Sequence, residues 1–214
     1  MTETAAPLGR RERNKAAKRA RILAAAQQRF ASQGYDGTTM AQVADDADVA
    51  IGTVFQYAAT KPELLMMVTA ERWREVLHTV VADLDTALDD DSPHATRGEQ
   101  GDPVETILGL MAPVVATSLD EPELSMSIAR ELLFGVRGEH HDEVAEIIEA
   151  VELAVVGILQ RAGATTHADS AARLVVSGCL LEINRTRTGR ADAASVQTRL
   201  RDIVEVVVRG AVTS

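Results

Sequence analysis

Apolar positions recur at helical spacing along nearly the whole chain, and short runs rich in Gly, Pro and Asp cut that pattern into segments. From about residue 13 to 32, Ile22, Leu23, Ala26 and Phe30 fall on one face of a helix. Gly34 closes this segment where a residue of positive φ is commonly used, and Tyr35-Asp36-Gly37 makes a turn. Thr38-Thr39 then opens a short helix with Met40, Val43 and Ala44 on one side. Asp45 to Val49 reads as a tight turn. Ala50 to Tyr57 gives a second short helix, with Val54 and Ala58 facing inward and Thr53, Gln56 and Tyr57 facing out. Thr60 as N-cap and Pro62 in the first turn predict a further helix from Lys61, carried on by Leu77, Val80, Val81, Leu84 and Leu88.

Residues 89–102 are acidic, contain Pro and Gly and have no period, which predicts a mobile loop. Five more helical patterns follow, over 103–118, 121–136, 139–162, 167–188 and 193–211. Pro103 begins the first and Pro113 is expected to kink it; Asp120 is expected to cap the second. The fold class is all-α: an N-terminal three-helix helix-turn-helix domain, 1–62, and a C-terminal helical ligand-binding and dimerisation domain, 63–214. Residues 1–11 are expected to be disordered.

Composition sharpens this picture in three ways. Hydrophobic residues make up 46% of the 214 but aromatics only 3%, so aliphatic side chains must supply the cores. The single cysteine, Cys179, excludes an intramolecular disulfide and suits a reducing cytoplasm. No run reaches the roughly 18 apolar residues that a membrane helix needs, and a cytoplasmic protein without a membrane partner is expected. The net charge of −10 argues against nucleic acid until it is divided. Residues 1–62 carry nine Lys/Arg against six acids, whereas the rest carries 13 against 26. A basic head on an acidic body suits a DNA-binding unit joined to one that stays off DNA. The basic run from Arg10 to Arg21 suits a phosphate backbone, although a solvated helix face explains it equally.

The stretch ILAAAQQRFASQGYDGTTMAQVADDADVAIGTVFQYAATKPELL, Ile22 to Leu65, resembles the N-terminal domain of the tetracycline-repressor (TetR) family of transcriptional regulators. The match is a run of features in register: helix, aromatic, Gly, Thr pair, helix-turn-helix, Gly-Thr, two aromatics and a Lys that opens a long helix. Two departures stand out. Ala50 replaces the usual Ser or Thr cap, and Phe55-Gln56-Tyr57-Ala58 replaces the common Tyr-x-x-Phe. The resemblance implies a double-stranded DNA operator, a homodimer and a small-molecule effector as partners, with a long helix linking head to body. On orientation and resemblance together, Thr39, Tyr57 and Lys61 are placed for phosphates, and Ile51, Thr53 and Gln56 for base edges. Each has a plainer reading: Thr39 as a cap only, Tyr57 partly in the core, Gln56 solvated.

The body offers candidates without a signature. Met66, Met111, Met126 and Phe134 suit an adaptable apolar pocket, and Arg130 and Asn184 are polar residues inside otherwise periodic helices. Ordinary core packing explains the apolar ones and surface exposure the polar ones. Small and apolar positions on the last two helices, Ala171, Val175, Gly178, Cys179, Leu200, Val204 and Val207, are read as a dimer interface built as a four-helix bundle. Adjacent His140 and His141 point about 100° apart on a helix, so no metal is expected. No cofactor and no enzymatic activity are expected, since no nucleophile cluster or phosphate-cradling loop is present. Alternatives that stay open are a ligand-independent or activating regulator, and an all-α enzyme or interaction module without DNA binding.

Overall fold

The computed structural model describes residues 9–88, 101–188 and 192–213. Among them are nine α-helices and no strand. They are α1 (Arg10–Gly37), α2 (Met40–Asp46), α3 (Ile51–Tyr57), α4 (Lys61–Leu88), α5 (Pro103–Asp120), α6 (Pro122–Phe134), α7 (Glu139–Arg161), α8 (Ala168–Arg187) and α9 (Val196–Val212). A single 3₁₀ turn, Ala193–Ser195, leads into α9. Arg10 and Arg11, expected in a disordered tail, belong to the first turn of α1, where Glu12 favours the helix start. Residues 1–8 and the expected loop at 89–100 lie outside the described residues.

Local chemistry explains the breaks. Gly34 has φ +74 and ψ 166, which interrupts α1 and suits glycine alone. The buried Thr38 ties that corner by donating its hydroxyl to the Gly34 carbonyl at 2.8 Å. Thr39 and Gln42 cap the start of α2 reciprocally, side chain to backbone in both directions. Helix α3 has no side-chain cap, since Ala50 precedes it. Thr60 caps α4 through the Glu63 N–H at 3.2 Å, and Asp102 caps α5 through Val104 at 2.9 Å. Asp120 does not cap α6: α5 extends through Asp120, and the residue before α6 is Glu121, whose carboxylate pairs with Arg72 instead.

Two cores result. The head core joins Ile22, Ala26 and Phe30 of α1, Val43 and Ala44 of α2, and Val54 and Ala58 around α3. It also takes in Leu64, Leu65, Met66 and Met67 of α4 and Val144 of α7, so α4 belongs to the head and to the body at once. The body core joins Ile107, Leu110 and Met111 with Val155, Ile158 and Leu159 of α7, and with the facing sides of α8 and α9. Those last two helices approach closely at Gly178, where an added Cβ would lie 3.1 Å from Cγ2 of Ile203.

Candidate DNA interface and body cavity

Helix α3 is held from its inner side and open on its outer one. Val54 and Ala58 are fully buried, whereas Ile51 and Phe55 are 47% and 46% exposed. Four residues apart, these two share a face, so α3 presents a broad apolar edge beside the exposed Gln56 and the half-buried Thr53. Phe55 stands outside the residues expected on DNA, because the resemblance sets it at the place of a family tyrosine. Its position i+4 from Ile51 was the available signal.

The three residues expected on phosphates are turned back onto the protein. Tyr57 donates its hydroxyl to the Lys15 carbonyl of α1 at 3.0 Å. Lys61 donates to the carbonyls of Thr38 at 2.9 Å and Asp36 at 3.3 Å, and its ammonium stands 4.4 Å from the centre of the Tyr35 ring. Thr39 is exposed but committed to its capping box. These contacts secure the turn after α1 and the seat of α3. Exposed cations of the head stand along the first half of α1, at Arg10, Arg11, Arg13, Lys15, Lys18 and Arg21, the last 3.5 Å from Asp48. Others are spent internally: Arg19 on Glu71 at 2.8 Å, and Arg29 on Asp46 at 2.5 and 2.8 Å, which holds the Asp46 carboxyl below the usual carboxylate range. Burial, reinforced by the nearby Glu131 carboxylate, pushes Tyr35 up to about 12.

A cavity of about 370 Å³ lies in the body between α4, α5, α6, α7 and α8. Met111 and Met126 line it, with Ile128, Ile148, Val151 and Ile183. Asn184 lines it too, and its Oδ1 is buried without a hydrogen-bond partner in the protein. His141 is a second such residue, its Nδ1 buried and unpartnered. Trp73, the paired Arg72 and Glu121, and Glu152 also line the wall. Cys179 faces the cavity as a neutral thiol, since burial pushes it up to about 12. The other three expected lining residues are elsewhere. Met66 is packed in the head core, Arg130 lies over the Tyr35 ring at 5.9 Å, and Phe134 is 83% exposed at the end of α6. Met66 followed the period of its helix but meets the head core, a neighbour that periodicity cannot identify.

The residues read as a dimer interface lie on the inner sides of α8 and α9. Ala171, Val175, Cys179, Leu200 and Val204 are buried within this chain's own core, and Gly178 and Val207 are half-buried against it. The outward faces of α8 and α9 carry Leu174 and Leu181, both 61% exposed, and Val206, 69% exposed. The seven expected residues thus pack within this chain, and the exposed apolar positions of these helices lie on their opposite faces.

The junction between head and body centres on His140, at the first turn of α7. Its ring Nε2 donates to the Tyr57 carbonyl at the end of α3, 2.7 Å away, and its backbone N–H donates to Glu63 of α4 at 3.2 Å. Nδ1 lies 3.3 Å from Glu143 Oε1 but is not aligned for a hydrogen bond. His140 and His141 thus diverge, one toward the recognition helix and one toward the cavity. Among the described residues, no group of three His, Cys, Asp or Glu is arranged to hold a metal, and no helix is long and apolar enough to cross a membrane.

Comparison with known proteins places this geometry. Residues 22–66 match the family described as bacterial regulatory proteins, tetR family. A TetR transcriptional regulator from Rhodococcus sp. RHA1 is similar over 92% of this chain and 98% of its own, at 17% identity and a TM-score of 0.68. FadR of Thermus thermophilus, a TetR-family repressor solved with lauroyl-CoA, covers 90% of this chain and 94% of its own at 21% identity and a TM-score of 0.66. FadR of Bacillus subtilis, solved with stearoyl-CoA, covers 89% and 98% at 16% identity and a TM-score of 0.64. A comparison with curated proteins finds no match. The chain therefore carries, at residues 22–66, the DNA-binding domain of the tetR family of bacterial regulatory proteins, on a fold shared with that family's regulators over nine-tenths of its length.

Proposed function

We propose that this DNA-binding regulator acts as a homodimeric repressor released from a palindromic operator by a small, mostly apolar ligand. The observation that carries the reading is the pairing of an outward-facing α3, with Ile51, Phe55 and Gln56 open, with a cavity of about 370 Å³ in the body behind it. That volume is within the range of small-molecule sites. One short helix reads too few bases for selectivity, and a two-fold pair of heads supplies the rest. The exposed Leu174, Leu181 and Val206 on α8 and α9 support pairing through those helices. The acyl-CoA carried by the two FadR relatives supports an effector with an apolar body. The functional division is a reading head, 1–62, on a sensing body, 63–214, with α4 shared between them. Ligand binding shifts the heads only by its differential affinity for the two arrangements.

The test is selection of bound duplexes from a randomised pool across a salt series. A two-fold symmetric site, bound less tightly as salt rises, supports the reading, and failure to enrich any site at low salt would overturn it. Release from that site by a cavity ligand tests the second half.

A further inference from the structure

The lining of the body cavity has a charge and hydrogen-bond pattern that selects a ligand chemistry. Its cations reduce to Arg72, which is bound to Glu121, and its remaining carboxylate is Glu152, loosely paired with Arg173 at 3.8 Å. Among the described residues, no unpaired Arg or Lys lines it. A carboxylate or phosphate buried here would meet no permanent counter-charge beyond the paired Arg72, and a buried anion without one is strongly disfavoured. Two polar groups, by contrast, want partners. Asn184 Oδ1 and His141 Nδ1 are each buried without a hydrogen bond, although Asp142 Oδ1 stands 4.0 Å from the histidine nitrogen. Buried polar groups are nearly always satisfied in native proteins, so a pair left open in the wall of one cavity points to an occupant.

We infer that the cavity takes an uncharged, mostly apolar alcohol or phenol, whose hydroxyl is read by Asn184 and His141. The inference deepens the ligand-responsive reading above and rests on it for its biological role. A hydroxyl both donates and accepts, so it satisfies the amide oxygen and suits either tautomer of the imidazole. An ester or ketone only accepts and leaves Asn184 Oδ1 unmet. The apolar remainder packs on Met111, Met126, Ile128 and Ile148, where flexible methionines adjust to shape.

Trp73 is the only tryptophan of the chain and lines the cavity, so its emission reports occupancy without DNA. The full chain is titrated at pH 7.5 with 1-octanol, octanoate, octylammonium and methyl heptanoate. Octanol is expected to bind about tenfold more tightly than octanoate or the ester. Asn184→Leu is expected to bring octanol to the level of the ester, a loss of about tenfold, or ~1.4 kcal/mol. Isosteric Asn184→Asp, less prone to disturb packing, is expected to invert the order in favour of octylammonium. Equal or tighter binding of octanoate, of the ester or of octylammonium to the parent, indifference to both Asn184 variants, or no response to any probe would overturn the inference. The two readings fail separately. Selective alcohol binding that leaves operator affinity unchanged would defeat ligand release and keep the ligand class. Release from DNA by an acyl-CoA, with Asn184 and His141 indifferent, would do the reverse.

Discussion

Lys61 is where sequence pattern and three-dimensional contact assign different jobs, and replacing it with methionine separates them. As a phosphate contact at the start of α4, it would contribute to DNA affinity and nothing to the free protein. In the structure its ammonium bonds the Thr38 and Asp36 carbonyls and covers the Tyr35 ring. A charged hydrogen bond contributes about 1.5–3 kcal/mol and an exposed cation–π contact about 0.5–1. Lys61 is half-buried and its second bond is long at 3.3 Å, so the lower ends apply and the sum is about 2 kcal/mol. For a chain of this size each kcal/mol moves the melting temperature by about 2–4 °C. Lys61→Met, which keeps the apolar stem, should therefore melt about 4–8 °C below the parent. The assay is thermal unfolding of the free protein by circular dichroism, with operator binding measured across salt at a temperature where both proteins are folded. The clamp predicts lower melting and an unchanged salt slope. A variant that melts with the parent but loses about one phosphate contact from that slope would refute the reasoning.

The other expectations are narrower. Replacing both Ile51 and Phe55 with alanine should weaken binding to a selected duplex about tenfold or more without changing its salt slope or the melting temperature, because apolar base contacts release no counterions. Gly34→Ala meets open space but a backbone angle that alanine resists, so it should lower stability by about 1–3 kcal/mol in denaturant unfolding. In alkali, burial raises Cys179 from 9.0 and Tyr35 from 10.0 to about 12 each, so the folded chain holds protons that the unfolded chain sheds. Stability should be whole below pH 9 and fall toward pH 12, by up to about 1.4 kcal/mol per pH unit per group, with Cys179→Ala flattening the onset. His140→Phe fills the space but leaves the Tyr57 carbonyl without its donor; it should cost about 1–3 kcal/mol and raise amide exchange in α3.

Much of this architecture was readable because the signals that set helix limits are local. Gly34, the Thr39–Gln42 box, Thr60 and Asp102 each act within a few residues of the break they make, and each helix boundary fell close to its expected place. What a side chain meets across the fold is not local. Val175 and Leu174 are neighbours in sequence, and helical periodicity cannot say which of their two faces meets α9 and which meets solvent. The same limit moved Met66 into the head core and left Met111 in the cavity. Polar residues were harder still, since Arg72 and Glu121 are 49 positions apart and only folding brings them to one wall.

The first turn of α7 connects these two parts of the protein over the span of one peptide bond. His140 holds the carbonyl that ends the recognition helix, and His141 forms part of the wall of the cavity. Because α7 is a continuous helix from Glu139 to Arg161, a displacement of His141 carries His140 with it. The Tyr57 bond is 2.7 Å long and directional, so a small rotation of this turn alters it before it alters the broader apolar packing of α4. Helix α4 alone gives a less direct route, since Leu64, Leu65, Met66 and Met67 anchor its start deep in the head core. Motion of α4 as a whole must carry that core, whereas motion at the first turn of α7 reaches the Tyr57 carbonyl of α3 directly. Under the proposed release by a ligand, the two adjacent histidines would therefore carry the coupling as much as the long helix that joins the head to the body.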